Sequence, residues 1–355
     1  MNRAAIKRRF LAVCGFFGCF GLARHLTRSR LRILCYHGFS IGDQHEFSPL
    51  LFIRPDTFDR HLKLIVQMGI PVVSLNDGLK LLRTNAVRHG ETVITIDDGW
   101  KSTLLLGAER LRMARLPACL YVTSYYVGKP AAVFNVVVRY MLWRCRGQVI
   151  DVRGVDPQID GTVDLRTDRE DTANRWIAYA DAEFDWRQRE ELLGRLADAL
   201  GLDIRAVLAD GRFSLLDERE VAELSQYGVD VQLHTHRHTL SDTDFSQVKR
   251  EIDDNRAVLE AIKGAACDHF CYPSGAYGDN HPSWLRRLGV DSATTCEPGL
   301  NDSSTNPYLL HRYLAREDAP DIELAAELSG FSEILRRGRT SVRSLVSTVS
   351  RRRAA

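Results

Sequence analysis

Thr92-Val-Ile-Thr-Ile-Asp97-Asp98-Gly99 is an apolar, β-branched run that ends on two carboxylates and a glycine. Such a continuous run, bounded by a turn signal, reads as a fully buried strand rather than one with a wet face. The same pattern recurs on both sides of it. Upstream, Leu31-Arg-Ile-Leu-Cys-Tyr36 is a buried strand ending in His37-Gly38, and Asp56-Thr57 caps a helix whose apolar positions Phe58, Leu62, Ile65 and Val66 run to Gly69. Pro71–Leu75 reads as a short strand and residues 76–83 as a helix. Downstream, Leu104–Arg115 is helical, and Ala118–Thr123, Val229–Leu233 and His269–Tyr272 are strands, with a helix over 245–262. Repeated βα units predict a parallel sheet or barrel with its chemistry at the C-terminal ends of the strands.

The rhythm breaks between residues 125 and 215. An apolar helical piece (Phe134–Cys145), a polar segment with Gly154, Pro157 and Gly161, and an amphipathic helix at Trp186–Leu200 read as a mainly helical subdomain over the barrel mouth. The expected organisation is therefore an N-terminal segment (1–30), a barrel in two parts (31–124 and 216–335) around the insertion (125–215), and a C-terminal tail (336–355). At 355 residues, one barrel of roughly 250 residues with an insertion accounts for the length.

Charge is distributed unevenly. Residues 1–32 carry eight Lys or Arg and no acid, and residues 336–355 carry seven Arg and no acid. The 33 bases that remain face all 46 acids, so an acidic body wears two basic ends. Such ends suit an anionic membrane surface, while the acidic body argues against nucleic acid. The apolar stretch Phe10–Ala23 is too short to span a bilayer comfortably. It reads as a membrane-surface anchor or a signal-like h-region. The eight cysteines show no CxxC pair, which excludes a zinc ribbon and leaves reduced thiols. The expected location is a membrane, at its cytoplasmic face because of the free thiols, ahead of the export that an h-region would imply.

Three strand ends carry the chemistry. At Asp97-Asp98, like charges side by side repel, and one resolution is that a cation takes one carboxylate while the other serves as a base; a plain Asp-Gly turn is the alternative. In Leu233-His234-Thr-His236-Arg-His238, imidazoles at i and i+4 can face one cation if the chain turns helically after the strand, with His236 taking the place of His238 if the strand continues. Two His and one Asp leave room for a water. The third, His269-Phe-Cys-Tyr272-Pro273-Ser274-Gly275-Ala-Tyr277-Gly278, is a Pro/Gly loop that can hold an exposed backbone N–H towards an oxyanion, or simply a turn.

In this order the three motifs resemble those of the polysaccharide deacetylase family, carbohydrate esterases with the chitooligosaccharide-deacetylase (NodB) homology domain. The quoted matches are Thr95-Ile-Asp97-Asp98-Gly99, His234-Thr-His236-Arg-His238 and Cys271-Tyr272-Pro273-Ser274-Gly275, with Tyr36-His37-Gly38 and Leu309-Leu310-His311 as looser companions. The resemblance implies a distorted (β/α) barrel of about seven strands and metal-dependent hydrolysis of acetyl groups on a polysaccharide or oligosaccharide. By position it makes Asp98, His234 and His238 ligands of a divalent ion, zinc foremost with cobalt or nickel as substitutes. It makes Asp97 the base, the Ser274 backbone N–H an oxyanion donor and His311 the acid. It places His37, Tyr272, Pro273 and Tyr277 at the substrate. Two features depart from the family: Cys271 stands where an Arg commonly holds the catalytic Asp, and no Asp-Trp motif is present to orient His311.

The acetylated glycan, N-acetyl before O-acetyl, is the expected substrate. Hydrolysis of another amide on the same fold, such as a cyclic imide, is the alternative, as is a catalytically silent, membrane-attached glycan-binding protein. Trp143, Trp176 and Trp186 in the insertion suit either stacking on sugar rings or the core of the subdomain.

Overall fold

The computed structural model describes residues 3–338, so the basic C-terminal tail is described only as far as Gly338 and its remainder lies outside the described residues. Two helices, α1 (Arg3–Phe16) and α2 (Cys19–Leu26), precede the first strand. Seven parallel strands follow: β1 (Arg32–Tyr36), β2 (Thr92–Ile96), β3 (Ala118–Val122), β4 (Val229–Leu233), β5 (His269–Cys271), β6 (Ser292–Thr294) and β7 (Tyr313–Leu314). Their order across the sheet is β6-β5-β4-β3-β2-β1-β7. A parallel bridge between Thr294 and Leu310, just before β7, brings the two edges together. This is the distorted seven-stranded barrel with extra helical regions expected from the sequence.

Alternation along the strands separates two apolar layers. Leu34, Tyr36, Ile94, Ile96, Leu120 and Val122 pack outward beneath the helices. Ile33, Val93, Tyr121 and Cys271 pack instead with leucines of α4 (Leu75–Arg83), which follows α3 (Pro55–Gln67). Register then sets the site: Tyr36 pairs with Ile96, Ile96 with Leu120, and Val122 with Leu233. The residues that follow each strand therefore emerge on one rim.

Local differences from the sequence reading have physical causes. The segment at Pro71–Leu75 forms only an isolated bridge, Val72 to Thr92, because the Ser74 hydroxyl accepts from the Asp77 amide and starts α4 at Leu75. Helix α3 begins one residue before Asp56, with Pro55 in its first turn, so Arg54 takes the N-cap position. The helix expected from Leu104 is two pieces, π-helical turns at Thr103–Ala108 and then α5 (Glu109–Ala114). Gly107 lies against the ring of Phe39 there, where a Cβ would come within 2.4 Å of the ring, so only glycine permits this packing.

Between β3 and β4 the chain forms α6 (Phe134–Arg144), an antiparallel hairpin pairing Val149–Asp151 with Thr162–Asp164, α7 (Arg169–Glu183) and α8 (Trp186–Ala199). The hairpin and α7 were not legible in the polar segment. These elements close around their own apolar core, which includes Val137, Met141, Trp176 and Leu196 and takes in Phe52 and Trp100 from the barrel loops. Beyond β4 come α9 (Phe245–Lys263), capped by Asp244, then α10 (His281–Arg287) and α11 (Asp321–Leu328).

Helix α3 buries His61, whose Nδ1 lies 3.3 Å from the hydroxyl of Tyr36. Burial holds the imidazole down to about 4, against the pull of Asp321, so the folded state resists its protonation. Between the free-imidazole value and about 4 the unfolded chain binds the extra proton, and the stability supplied by neutral His61 is lost as pH falls through that window. We expect the stability difference between the parent and His61→Gln to shift by up to ~3 kcal/mol over this range, measured by urea unfolding at a series of pH values.

Candidate active site

The rim loop after β2 makes its turn at once. Asp98 adopts a left-handed conformation (φ 77°), with Gly99 following at 88°, and the Asp97 amide donates to the carbonyl of Tyr36. This turn sends the two carboxylates to different places.

Asp97 points into the barrel. Its two oxygens each accept a hydrogen bond of 2.8 Å from the guanidinium of Arg312, a fully buried ion pair. Burial alone would push the carboxyl up, but Arg312's charge and bonds, aided by His37 and His234, hold it down to about 2. Arg312 is in turn fixed by the carbonyl of Thr295 and the hydroxyl of Thr95. The thiol of Cys271 lies 3.1 Å from the same guanidinium and 3.4 Å from Asp97. The arginine missing at position 271 is thus supplied 41 residues later in sequence by Arg312. Its only sequence signal was its place directly after His311.

Asp98 points to the rim. Its Oδ2 accepts from the indole of Trp100 at 2.8 Å, while Oδ1 lies 3.3 Å from His234 Nε2 and 3.4 Å from His238 Nε2. Burial would raise this carboxyl, yet its hydrogen bonds with the two imidazoles hold it well below the usual range. The strand stops at Leu233, and Thr235 and His238 turn left-handed (φ 62° and 58°). This delivers the i, i+4 pair, whereas His236 bonds the hydroxyl of Ser124 and is the residue left aside.

The donor set fits a divalent ion. Asp98, His234 and His238 offer one carboxylate oxygen and two imidazole nitrogens within 4.8 Å of one another. The Nδ1 of His234 donates to the carbonyl of Cys271 at 2.8 Å, so when Nε2 gives up the proton it shares with Asp98 its lone pair faces the shared space. Two other groupings come equally close, Cys35-His37-Asp97 and Asp97-His234-Cys271. Both require Asp97, already bound at both oxygens by Arg312, and thiols that burial pushes well above their usual range. The Asp98 set has neither handicap. Buried Asn255 of α9 supports it: its Oδ1 accepts from the His234 amide, while its Nδ2 donates to the Val122 carbonyl and the Ser124 hydroxyl.

A cleft of about 340 Å³ opens beside these ligands, lined by Asp98, His238 and Ser274 from the barrel and by Tyr126, Phe134 and Arg139 from the insertion side, among others. Ser274 is left-handed (φ 56°), and the hydrogen bonds across its turn come from the amides of Gly275 and Ala276. The Nε2 of His37 stands 3.9 Å from Asp97. His311 is partly exposed. Its backbone is clasped at both ends by the side-chain amide of Asn301, and its Nδ1 lies 3.8 Å from Glu297.

The placement of Tyr272 and Pro273 at the substrate is corrected by the structure. Both are buried, and the Tyr272 ring packs between Phe270 and Tyr277 as part of the main core. Tyr277 is half-buried and donates its hydroxyl to Glu297. Nor do the insertion's tryptophans face the cleft: Trp176 is core, while Trp143 and Trp186 lie under Arg146 and Arg187.

Removing Arg312 would leave Asp97 charged and unpaired in the barrel. We expect Arg312→Cys to cost about 3–5 kcal/mol of unfolding free energy, and the double substitution Arg312→Cys with Cys271→Arg to regain a large part of it, both read from denaturant unfolding.

Comparison with known proteins bears on the fold and on part of the sequence. Residues 192–293 match the family model described as polysaccharide deacetylase. A stretch of 98 residues is 26% identical to a protein of Bacillus subtilis (strain 168), YxkH, described as a candidate polysaccharide deacetylase; the match covers 27% of this chain and 35% of that protein, about a third of its length. Among solved structures, the Streptococcus pyogenes deacetylase PplD in complex with acetate superposes with a TM-score of 0.56 at 15% identity, covering 83% of this chain and 96% of PplD. A de-N-acetylase from Aggregatibacter actinomycetemcomitans gives a TM-score of 0.52 at 13% identity, covering 82% and 97%. The resemblance to the polysaccharide deacetylase family is thereby shown, in sequence over residues 192–293 and in fold over most of the chain.

Proposed function

We propose that the chain is a hydrolase that removes acetyl groups from a polysaccharide or oligosaccharide and depends on a divalent ion, with N-acetyl before O-acetyl as the linkage. The observation that carries this reading is the division of labour between adjacent carboxylates: Asp98 directed at two imidazoles on the rim, and Asp97 held ionised beside them by Arg312. Asp98, His234 and His238 would hold the ion, and zinc suits one carboxylate with two imidazoles. When bound, the ion supplies Lewis-acid polarisation of the acetyl carbonyl and a more acidic water.

This chain's own residues supply the rest. Asp97 accepts the proton of the attacking water. Its low position on the pH scale keeps it available as an acceptor throughout the neutral range while making it a weak base. Hydrolysis puts negative charge on the former carbonyl oxygen, and the backbone N–H of Ser274, a left-handed residue that lines the cleft, would donate to it. The departing amine takes a proton from His311, which sits next to Arg312 in the chain and is partly open to solvent. The N-acetyl preference draws support from the fold shared with a de-N-acetylase.

Acetate release from N- and O-acetylated oligosaccharides, with protein stripped of metal and then resupplied with zinc or cobalt, tests the reading. We expect release to return with metal. Asp98→Asn abolishes both metal retention, followed by elemental analysis, and release. Asp97→Asn keeps the metal and lowers release by about 10²–10⁴-fold. Metal retained with no acetate released from any glycan would transfer the reading to a cyclic imide or a silent glycan binder.

A further inference from the structure

Of the thirteen large hydrophobic side chains exposed among the described residues, seven fall within residues 6–26: Ile6, Phe10, Val13, Phe16, Phe17, Leu22 and Leu26. Phe16 and Phe17 are 85% and 75% exposed and meet edge to face at the junction of α1 and α2. A concentration of this kind is unlike the scattered apolar residues of an ordinary surface and marks a contact face.

The two helices are not loose. Leu11 and Ala23 are buried, Lys7 pairs with Glu323 of α11, and Phe10 and Phe20 pack against Phe331. Arg24 donates to the carbonyls of Met68 and Gly69 at the end of α3. The pair is therefore docked by one side while its aromatic tip and outer side stand free. It also lies towards the end of the barrel opposite the site. The Arg28 carbonyl accepts from Gly90, just ahead of β2, and Thr27 bonds the carbonyl of Ser329, whereas the ligands follow the other ends of the strands.

Charge decides what covers this face. No acid precedes Asp43 in the sequence; of the bases before it, Lys7 and Arg30 pair with acids of the barrel and Arg32 is buried. Arg8 and Arg28 are exposed beside the apolar side chains. A second copy would bring like charge against like charge, whereas a bilayer with anionic headgroups offers phosphates to the bases and an acyl boundary to the phenyl rings. Among the described residues no helix is long and apolar enough to cross a membrane.

We infer that α1 and α2 form a monotopic anchor that seats the barrel on an anionic phospholipid surface, with Phe16 and Phe17 inserted at the headgroup boundary and the active-site rim turned away from the lipid. This goes beyond the proposed hydrolysis and does not depend on it.

Flotation of the full chain with vesicles of phosphatidylcholine, with and without phosphatidylglycerol, tests the inference. We expect partition onto the phosphatidylglycerol vesicles that weakens with added salt, little onto phosphatidylcholine alone, and a loss of about tenfold or more in Phe16→Ser/Phe17→Ser. Because both side chains are exposed, the thermal unfolding of that variant should match the parent. Three outcomes would overturn the inference: no flotation at any composition, flotation unchanged in the double variant, or a dimer in size-exclusion chromatography that the double variant abolishes without any vesicle binding.

Discussion

A carboxylate buried inside a barrel is tolerable only if something of opposite charge is buried with it, and here that partner is Arg312. The pair is bidentate, fully enclosed, and anchored at the arginine end by Thr295 and Thr95. Much else follows from it. Arg312 directly precedes β7, and because β7 lies beside β1 its guanidinium reaches across β1 to Asp97 at the end of β2. One guanidinium therefore ties the end of β2 to groups at the ends of β5 and β6, Cys271 and Thr295.

The division between Asp97 and Asp98 depends on the same pair. Two adjacent carboxylates in a site this enclosed would ordinarily raise one another. Their charges are separated instead, one neutralised by Arg312 inside the barrel and the other facing His234 and His238 on the rim, with Trp100 fixing its second oxygen. Trp100 also packs on Phe52 in the core that the insertion shares with the barrel loops. The orientation of a candidate ligand is thereby coupled to the packing of the insertion, although the two lie far apart in sequence.

What could be read from the sequence was what is local. β2 and β4 were legible to their ends because their apolar, β-branched runs stop at polar loops, and the His234–His238 spacing follows directly from where β4 stops. The residues that complete the site escaped because their partners are remote. Arg312 lies 215 positions from Asp97, and Asn255, which holds the tips of β3 and β4 together, sits within a helix where an asparagine carries no local signal. Tyr272 was misplaced for the opposite reason. A tyrosine at a strand end looks available in sequence, but alternation turns this one outward under α10, against His281. The hairpin and α7 of the insertion failed on composition, since α7 shows only a narrow apolar face at Ala173, Trp176 and Ala180.

Backbone conformation identifies the site independently of its side chains. Four of the seven non-glycine residues with positive φ among the described residues are Asp98, Thr235, His238 and Ser274, and they come from three separate loops on one rim. Each costs on the order of 1–2 kcal/mol relative to ordinary backbone, so their coincidence has to be imposed by the surrounding structure. The imposing contacts can be named. The Asp98 carbonyl accepts from Thr123, the His234 carbonyl accepts from the Thr123 hydroxyl, and Glu251 of α9 receives the Arg237 amide and guanidinium and, through its carbonyl, the His236 amide. The strain is therefore held by β3 and α9, which themselves carry no ligand. Relaxing those loops to ordinary backbone would turn Asp98 and His238 away from each other. The left-handed turns are thus the form in which the fold holds Asp98, His234 and His238, a candidate ligand set, facing one another.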